Sequence, residues 1–334
     1  MLSKNKYQPA KDTFNRRIDY LRISITDKCN LKCIYCTPGK ALKHISAREI
    51  LTDEEIIRFV RIARKQGLRK VRLTGGEPLM RHNIIDLIGS IKKTGVRDIS
   101  LTTNGLMLSG RAEELKQAGL ARVNISLDTL DDEKYKAIAG GGDIALVWKS
   151  IRAAESAGLS PVKINVVPIR GVNDDEIESF ASLTFENNFH IRFIEFMPAV
   201  SGGLWSRDKY IDSVQIMEKI ASLGALEPLT FRGSGPSRNY RFKGAKGVIG
   251  IISPLSDHFC RHCNRLRLTS DGKIRPCLFS SHTIDIKTPM RQGITDEELD
   301  RLFLEAVYSK PEGHRLNDGQ WSSSPIQSMS EIGG

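Results

Sequence analysis

The sequence predicts an α/β fold, a partial (β/α) barrel of the TIM type with a C-terminal extension, and three observations predict it. Short runs rich in Val, Ile, Leu and Thr recur through the first two-thirds of the 334 residues. Helical periodicity fills the gaps between them, and repeated βα units imply parallel strands joined by helical crossovers. Polar clusters follow the ends of these runs, which is where a barrel of parallel strands builds its site. The period alone leaves an open, doubly wound sheet as the alternative to a closing barrel.

Strands are expected at 21–25, 70–74, 98–102, 122–127, 162–167 and 191–196. The first intervening helix, 52–67, opens on a capping box, Thr52 with Glu55, sets Ile56, Val60 and Ala63 on one face and stops at Gly67. Further helices are expected at about 83–94, 109–118, 143–158 and 174–188, with Gly95, Gly119 and Gly158 as C-terminal caps. After Met197-Pro198 the texture changes. Loop-like segments lead to strand-like pieces at 248–252 and 265–269, then to a last helix at 295–307 with a second capping box, Thr295 with Glu298. The end, 309–334, reads as a polar, irregular tail.

Apolar content of 40% and charged content of 27% suit a globular chain with a sizeable core. The formal charge of +11, from 50 basic and 39 acidic residues, favours a polyanionic partner, with a solvated basic surface as the alternative. The first residues are polar and lack the apolar region of a signal peptide, and no run approaches the roughly 18 apolar residues of a membrane span. The expectation is a soluble, cytoplasmic protein. In a reducing compartment its six cysteines serve as metal ligands or catalysts rather than disulfides.

Those cysteines fall into two trios. Cys29, Cys33 and Cys36 form C-x3-C-x2-C just after the first strand. Three thiolates in so short a segment can wrap one inorganic centre, and a cubane that normally takes four cysteines then keeps one iron open. A zinc site would want a fourth ligand, for which His44 is the nearest candidate. Cys260, Cys263 and Cys277 form C-x2-C-x13-C, where His258 and His262 keep zinc and cluster equally open on spacing alone.

Gly75-Gly76-Glu77-Pro78 follows the second strand; the glycines would let a ligand approach the backbone, and Glu77 could accept from an ammonium group. Thr102 to Gly105, Ser126 to Asp128 and Glu195 to Pro198 close later strands. Arg265 and Arg267 share one face of their strand, and Arg22, Arg72, Lys163 and Arg192 lie on others. Such cations are unusual against a dry core and make sense against a polyphosphate, each close pair contributing about 4 kcal/mol of Coulomb energy before desolvation.

The first trio, with Tyr35 between its last two cysteines, and the GGEP segment together resemble the radical S-adenosylmethionine superfamily. Over nearly the whole chain the resemblance narrows to the GTP 3′,8-cyclases of molybdenum-cofactor biosynthesis, carried by LRISITDKCNLKCIYC, RLTGGEPLMR, LTTNGL, NISLDT, VKINVV, IRFIEFMP, FCRHCNRLRLTSDGKIRPCLF and the terminal Ile332-Gly333-Gly334. Thr37 and Gly39 depart from a segment that often reads Met-Pro in the family, and 198–245 matches poorly.

The resemblance implies a radical S-adenosylmethionine barrel over 16–235, an N-terminal arm over 1–15, and a C-terminal region over 236–334 that carries a second cluster and a Gly-Gly tail. It implies two [4Fe–4S] clusters, held by Cys29, Cys33 and Cys36 and by Cys260, Cys263 and Cys277. At the first, S-adenosylmethionine is cleaved to a 5′-deoxyadenosyl radical that takes hydrogen from C3′ of GTP; C3′ then attacks C8 to give 3′,8-cyclo-7,8-dihydro-GTP. Tyr35, Gly76, Glu77, Ser126 and Met197 are implied in S-adenosylmethionine binding, and Arg22, Arg72, Thr102, Lys163, Arg192, Arg265 and Arg267 in GTP binding. Arg265, Arg267, Gly333 and Gly334 are implied in the catalytic site. The implied partners are a flavodoxin-like or ferredoxin-like electron donor, a downstream cyclic pyranopterin monophosphate synthase and a second copy of the chain, with neither nucleic acid nor membrane. The competing readings are a radical enzyme acting on RNA or peptide, and a zinc-stabilised nucleotide-binding protein. Few aromatics, at 7%, and no appended RNA-binding module speak against RNA.

Overall fold

A computed structural model of the chain describes residues 8–36, 44–198, 204–230, 235–314 and 329–332. Its βα units run β1 (Tyr20–Ser24), α1 (Asp53–Lys65), β2 (Lys70–Thr74), α2 (Ile84–Lys93), β3 (Asp98–Thr103), α3 (Ala112–Ala118), β4 (Arg122–Ser126), α4 (Asp132–Ala139), α5 (Ile144–Ser156), β5 (Lys163–Val166), α6 (Ile177–Glu186) and β6 (His190–Ile194). Then follow α7 (Ser213–Ala221), β7 (Leu226–Leu229), β8 (Arg238–Phe242), β9 (Val248–Ile252), β10 (Arg265–Leu268), β11 (Lys273–Arg275), β12 (Ile284–Asp285), α8 (Lys287–Arg291), α9 (Asp296–Tyr308) and α10 (Met329–Ile332).

All twelve strands belong to one sheet in the order β12-β11-β10-β1-β2-β3-β4-β5-β6-β9-β8-β7. The pairs from β10 through β1 to β6 and on to β9 are parallel, and both edges end in antiparallel strands. Among the described residues the two edges do not pair, so the sheet is an open, partial barrel. The C-terminal third contributes to both edges: β9 extends the sheet beyond β6, and β10 lies beside β1, with Arg22 in register with Arg267.

Both expected capping boxes form, with the Thr52 and Thr295 hydroxyls each accepting from the backbone three residues on. Gly95, Gly119 and Gly158 all take positive φ, as helix-ending glycines do. Helix α1 buries Ile56, Phe59, Val60, Ile62 and Ala63. Its Phe59 ring lies 6.0 Å from that of Phe303 in α9, and Arg58 pairs with Asp296 at 2.9 Å, so the last long helix is packed on the first.

Three expectations change. Helix α4, the elements α7, β7 and β8 in the stretch read as loop, and β11, β12 and α8 nearer the C-terminus are additional; all are short, none of the helices exceeding nine residues, and brief segments leave little periodicity to read. Helix α3 begins at Ala112, three residues later than read, and α6 follows a short 3₁₀ turn at Asp174–Glu176. The terminal segment read as irregular contains the helical turn α10, whose Ile332 is 1% exposed.

Truncating the ring that joins α1 to α9 tests this packing. Phe59→Ala is expected to cost about 3–5 kcal/mol of stability, read as a lower denaturant midpoint; a change below about 1 kcal/mol would show that the interface closes without it.

Candidate active site

A cavity of about 960 Å³ runs along the inner face of the sheet, from the first residues of the parallel strands, Tyr20, Lys70 and Asp98, to their C-terminal ends. Every described residue that the resemblance implied in cluster, S-adenosylmethionine or GTP binding lines it: Cys29, Cys33, Tyr35 and Cys36; Gly76, Glu77, Ser126 and Met197; Arg22, Arg72, Thr102, Lys163 and Arg192; Cys260, Cys263, Arg265, Arg267 and Cys277. Gly333 and Gly334 lie outside the described residues, as do Thr37 and Gly39; Met329, in α10, does reach the cavity.

At one end, β1 runs into the loop that carries the first trio. All three thiols are free and half-buried. Burial pushes each of them up, Cys36 to about 12, and the neighbouring thiols add to the rise at Cys33 and Cys36. Thiols held up in this way are readied as thiolates together when a cationic centre binds them. Among the described residues no three Cys, His, Asp or Glu converge where a single metal ion could be held. His44 meets Asp27 at 3.2 Å and completes no zinc site.

The glycines of the GGEP segment also serve the protein's own packing. A Cβ on Gly75 would stand 2.4 Å from the Thr26 carbonyl oxygen, and one on Gly76 2.2 Å from that of Lys28. The glycines therefore let this segment lie directly on the backbone leading to the cysteine loop, where the Gly76 and Glu77 N–H groups donate to those same carbonyls at 2.8 and 2.7 Å. Glu77, 1% exposed, accepts from Thr103 Oγ1 at 2.8 Å, Asn104 N at 2.8 Å and Leu79 N at 3.0 Å. Burial lifts its carboxyl to about 7 against these donors. Its first task is to brace two strand ends. Asp128, raised to about 6 by burial, accepts in the same way from the Tyr35 hydroxyl and from Val167 N.

The middle of the cavity is a wall of cations. Strand register sets Arg267, Arg22, Arg72, Ser100 and Arg122 in one row across five adjacent strands. A second row holds Thr102, Asn124, Lys163 and His190, and a third Ser126, Asn165 and Arg192. Burial and the neighbouring guanidiniums depress Arg22, Arg72, Arg192 and Arg267. An arginine keeps its proton regardless, so the wall carries unrelieved repulsion. Lysine can respond, and Lys163 is driven down to about 6 by burial and then by Arg192, Arg122 and Arg72. Of the lining residues only Glu77, Asp98 and Asp128 are carboxylates, and Asp98 is spent on Arg122 at 2.5 Å. The buried Arg192 Nε, Thr102 Oγ1 and Asn165 Oδ1 have no hydrogen-bond partner among the described residues. This surface fits a polyanion with hydrogen-bonding capacity.

The second trio faces the first across this wall. Burial raises the Cys263 thiol, but the charges of Arg265 and Lys310 with hydrogen bonds from Arg265 outweigh it and bring it down to about 6, a thiolate at neutral pH. Arg265 also lies over the Phe259 ring at 4.7 Å. His258 packs edge-on to His314 at 5.3 Å, and as at the first trio no single-ion geometry forms among the described residues.

Sequence reading missed Tyr20, Arg122, Asn165 and His190, which line the cavity. Each lies two residues from a named position or in register with one, so strand alternation carries their signal. Lys310 carried none: it enters from the end of α9.

Residues 23–184 match the Radical SAM superfamily and residues 189–316 match Molybdenum Cofactor Synthesis C. Proteins named GTP 3′,8-cyclase from Heliobacterium modesticaldum and Moorella thermoacetica are 49% and 48% identical over 326 residues, covering 97% of this chain and 99% and 100% of theirs. Among solved structures, Streptococcus suis SuiB bound to S-adenosylmethionine has a TM-score of 0.61 at 18% identity, over 92% of this chain and 69% of that one. AnSMEcpe with bound AdoMet has a TM-score of 0.56 at 15% identity, over 90% and 82%. At such identities the likeness is one of fold.

Relieving the repulsion in the wall should stabilise the empty protein. Arg192→Met is expected to raise ligand-free stability by about 1–2 kcal/mol, seen as a higher melting temperature, and to shrink the further rise that inorganic triphosphate produces. A lower ligand-free melting temperature would mean that the guanidinium is already compensated.

Proposed function

The chain belongs to the GTP 3′,8-cyclase family of radical S-adenosylmethionine enzymes, and we propose that it performs the family's reaction by holding GTP along the cationic wall, between the two cysteine trios. The reaction converts GTP into 3′,8-cyclo-7,8-dihydro-GTP, a step of molybdenum-cofactor biosynthesis. The observation that carries the residue assignment is the in-register row of Arg267, Arg22 and Arg72 lying between two sets of free cysteines in one cavity.

The donor set fits an iron–sulfur cluster at Cys29, Cys33 and Cys36: three free thiols on one short loop with no single-ion geometry among the described residues. The cluster with S-adenosylmethionine, when bound, supplies the radical chemistry that joins C3′ of the ribose to C8 of guanine. Gly76, Ser126, Met197 and the Tyr35 segment form the surface against which S-adenosylmethionine lies, while Glu77 holds the GGEP turn against the cysteine loop and keeps acceptor capacity towards an ammonium. Arg22, Arg72, Lys163 and Arg192 neutralise the triphosphate, and Thr102 offers a hydroxyl. Such fixed charges position a substrate at little reorganisation cost.

A second [4Fe–4S] cluster at Cys260, Cys263 and Cys277 is part of the same proposal, supported by the matching set of three free thiols and by the Cys263 thiolate. Arg265 and Arg267 would then serve both that cluster's site and the substrate, and Gly333 and Gly334 are assigned to the catalytic site with them. We further propose a cytoplasmic homodimer, reduced by a flavodoxin-like or ferredoxin-like donor, that passes its product to a cyclic pyranopterin monophosphate synthase. Among the described residues no helix is long and apolar enough to cross a membrane.

Anaerobic incubation with GTP, S-adenosylmethionine and a one-electron reductant should give 3′,8-cyclo-7,8-dihydro-GTP with one 5′-deoxyadenosine per turnover; turnover of RNA or peptide instead would overturn the reading. Cys277→Ala should keep slow, uncoupled deoxyadenosine formation and lose the cyclised product, and full turnover by this variant would remove the second trio from the mechanism.

Lys163 adds a proton-linked signature. It titrates near 6 in the free cavity because of burial and the surrounding arginines, so it is mostly neutral at pH 7.5. A bound triphosphate reverses the local potential and raises it, so binding takes up protons. Calorimetry in buffers of differing ionisation enthalpy should detect uptake by the wild type and none by Lys163→Met; equal uptake by both would separate Lys163 from the phosphates.

A further inference from the structure

Outside the cationic wall, two buried cations fasten the second cysteine trio to the segment that leads to the C-terminus. Lys310 is 3% exposed. Its ammonium donates to the carbonyl oxygens of Arg265, at 2.9 Å, and Pro276, at 2.7 Å. The first carbonyl follows Cys263 and the second immediately precedes Cys277, so one side chain spans the two arms of the C-x13-C spacing. Among the described residues no carboxylate pairs with it. Arg16, 8% exposed, serves the remaining cysteine. Its guanidinium donates to Cys260 O at 2.8 Å, Glu312 O at 2.8 Å and Pro311 O at 2.7 Å, and pairs with Asp12 at 2.6 Å. Gly313 completes the contact: a Cβ there would stand 3.6 Å from Cys260 Cβ and 3.8 Å from its sulfur.

Burying an ammonium is costly when only neutral carbonyls receive it, and ordering the long side chain adds an entropic cost. A buried methionine at position 310 would fill similar space without the desolvation cost. Such a cation is favoured where a negative centre lies beside it, and a cluster held by three thiolates is such a centre. Charges and hydrogen bonds just outside the ligands set ligand orientation, cluster retention and potential.

We infer that Lys310 is a positioning residue for the second cluster: it holds the Cys263 and Cys277 segments at one spacing and supplies a fixed positive charge beside the thiolates. With Arg16 it makes 310–314 a strap that registers the cluster loop against the chain leading to the C-terminal tail. The inference rests on the proposed reading that the second trio carries a cluster.

The test uses full-length protein in which Cys29, Cys33 and Cys36 are replaced by Ala, so that only the second centre contributes. Lys310→Met and Lys310→Arg are compared with Lys310 in this background by iron and sulfide content, redox titration followed by electron paramagnetic resonance, and thermal melting. Lys310→Met is expected to lose second-centre iron, or to retain it at a more negative midpoint potential, with most of its thermal transition intact. Lys310→Arg, which keeps the charge, should recover iron content and potential towards the parent. Equal iron and potential in all three proteins would overturn the inference, and so would loss of the thermal transition in Lys310→Met together with loss of the first centre when the same change is made in the wild-type chain, because Lys310 would then be a general core residue. If the Lys310 parent itself takes up no iron at the second trio, the underlying reading fails, a result distinct from an unaltered Lys310→Met.

Discussion

Positive charge crowded on the inner face of a parallel sheet is the constraint on which the rest of this structure depends. Arg22, Arg72, Arg122, Lys163, Arg192, Arg265 and Arg267 line a single cavity that offers them little carboxylate. In the absence of ligand the arrangement is unfavourable, and Lys163 reports this by its depression to about 6. The fold tolerates it because the outer faces of the same strands and the covering helices bury a continuous apolar core, from Leu21 and Ile23 through Phe180 and Phe193 to Phe303. Stability invested in that core is what permits so many like charges to crowd on the inner face.

Holding such a wall open requires that the loops above it not collapse onto it. Three buried carboxylates at the ends of alternate strands do this. Glu77 beyond β2 gathers N–H and hydroxyl donors from its own turn and from the β3 end. Asp128 beyond β4 ties Tyr35 of the cysteine loop to the β5 end. Glu195 beyond β6 accepts from Ser213 N, Leu255 N and Ser256 N at 2.9, 2.9 and 3.1 Å, fixing the loops that follow β6 and β9. Each uses its charge to organise backbone donors that a cavity rim would otherwise leave to water. The rim is rigid at the points where cysteines and substrate-facing residues leave the strands.

The two trios reach opposite ends of one cavity because of where β10 inserts. By pairing in parallel with β1, it brings Arg267 level with Arg22 and sets Cys260 and Cys263, which precede β10, at the N-terminal rim of the sheet, opposite Cys29, which follows the C-terminal end of β1. The radical-enzyme half and the C-terminal half are therefore not modules in series: they share a sheet, a wall and a cavity.

Much of this was legible in the chain itself. Capping boxes at Thr52 and Thr295 and the left-handed glycines at 95, 119 and 158 are local, set by hydrogen bonds and torsions within a few residues. The grouping of cysteines into trios, and the period-two placement of cations along β1, β2, β5, β6 and β10, follow from spacing and strand geometry, and with them the site. Other features belong to the tertiary structure alone. The missing Cβ atoms of Gly75 and Gly76 face the Thr26 and Lys28 carbonyls. Arg16 meets the Cys260 carbonyl 244 residues away, and Lys310 bridges two arms of a cysteine spacing from the end of a distant helix. Periodicity carries information over a turn or a strand, whereas these contacts are decided by which strand lies beside which, a choice made by the packing of the whole sheet.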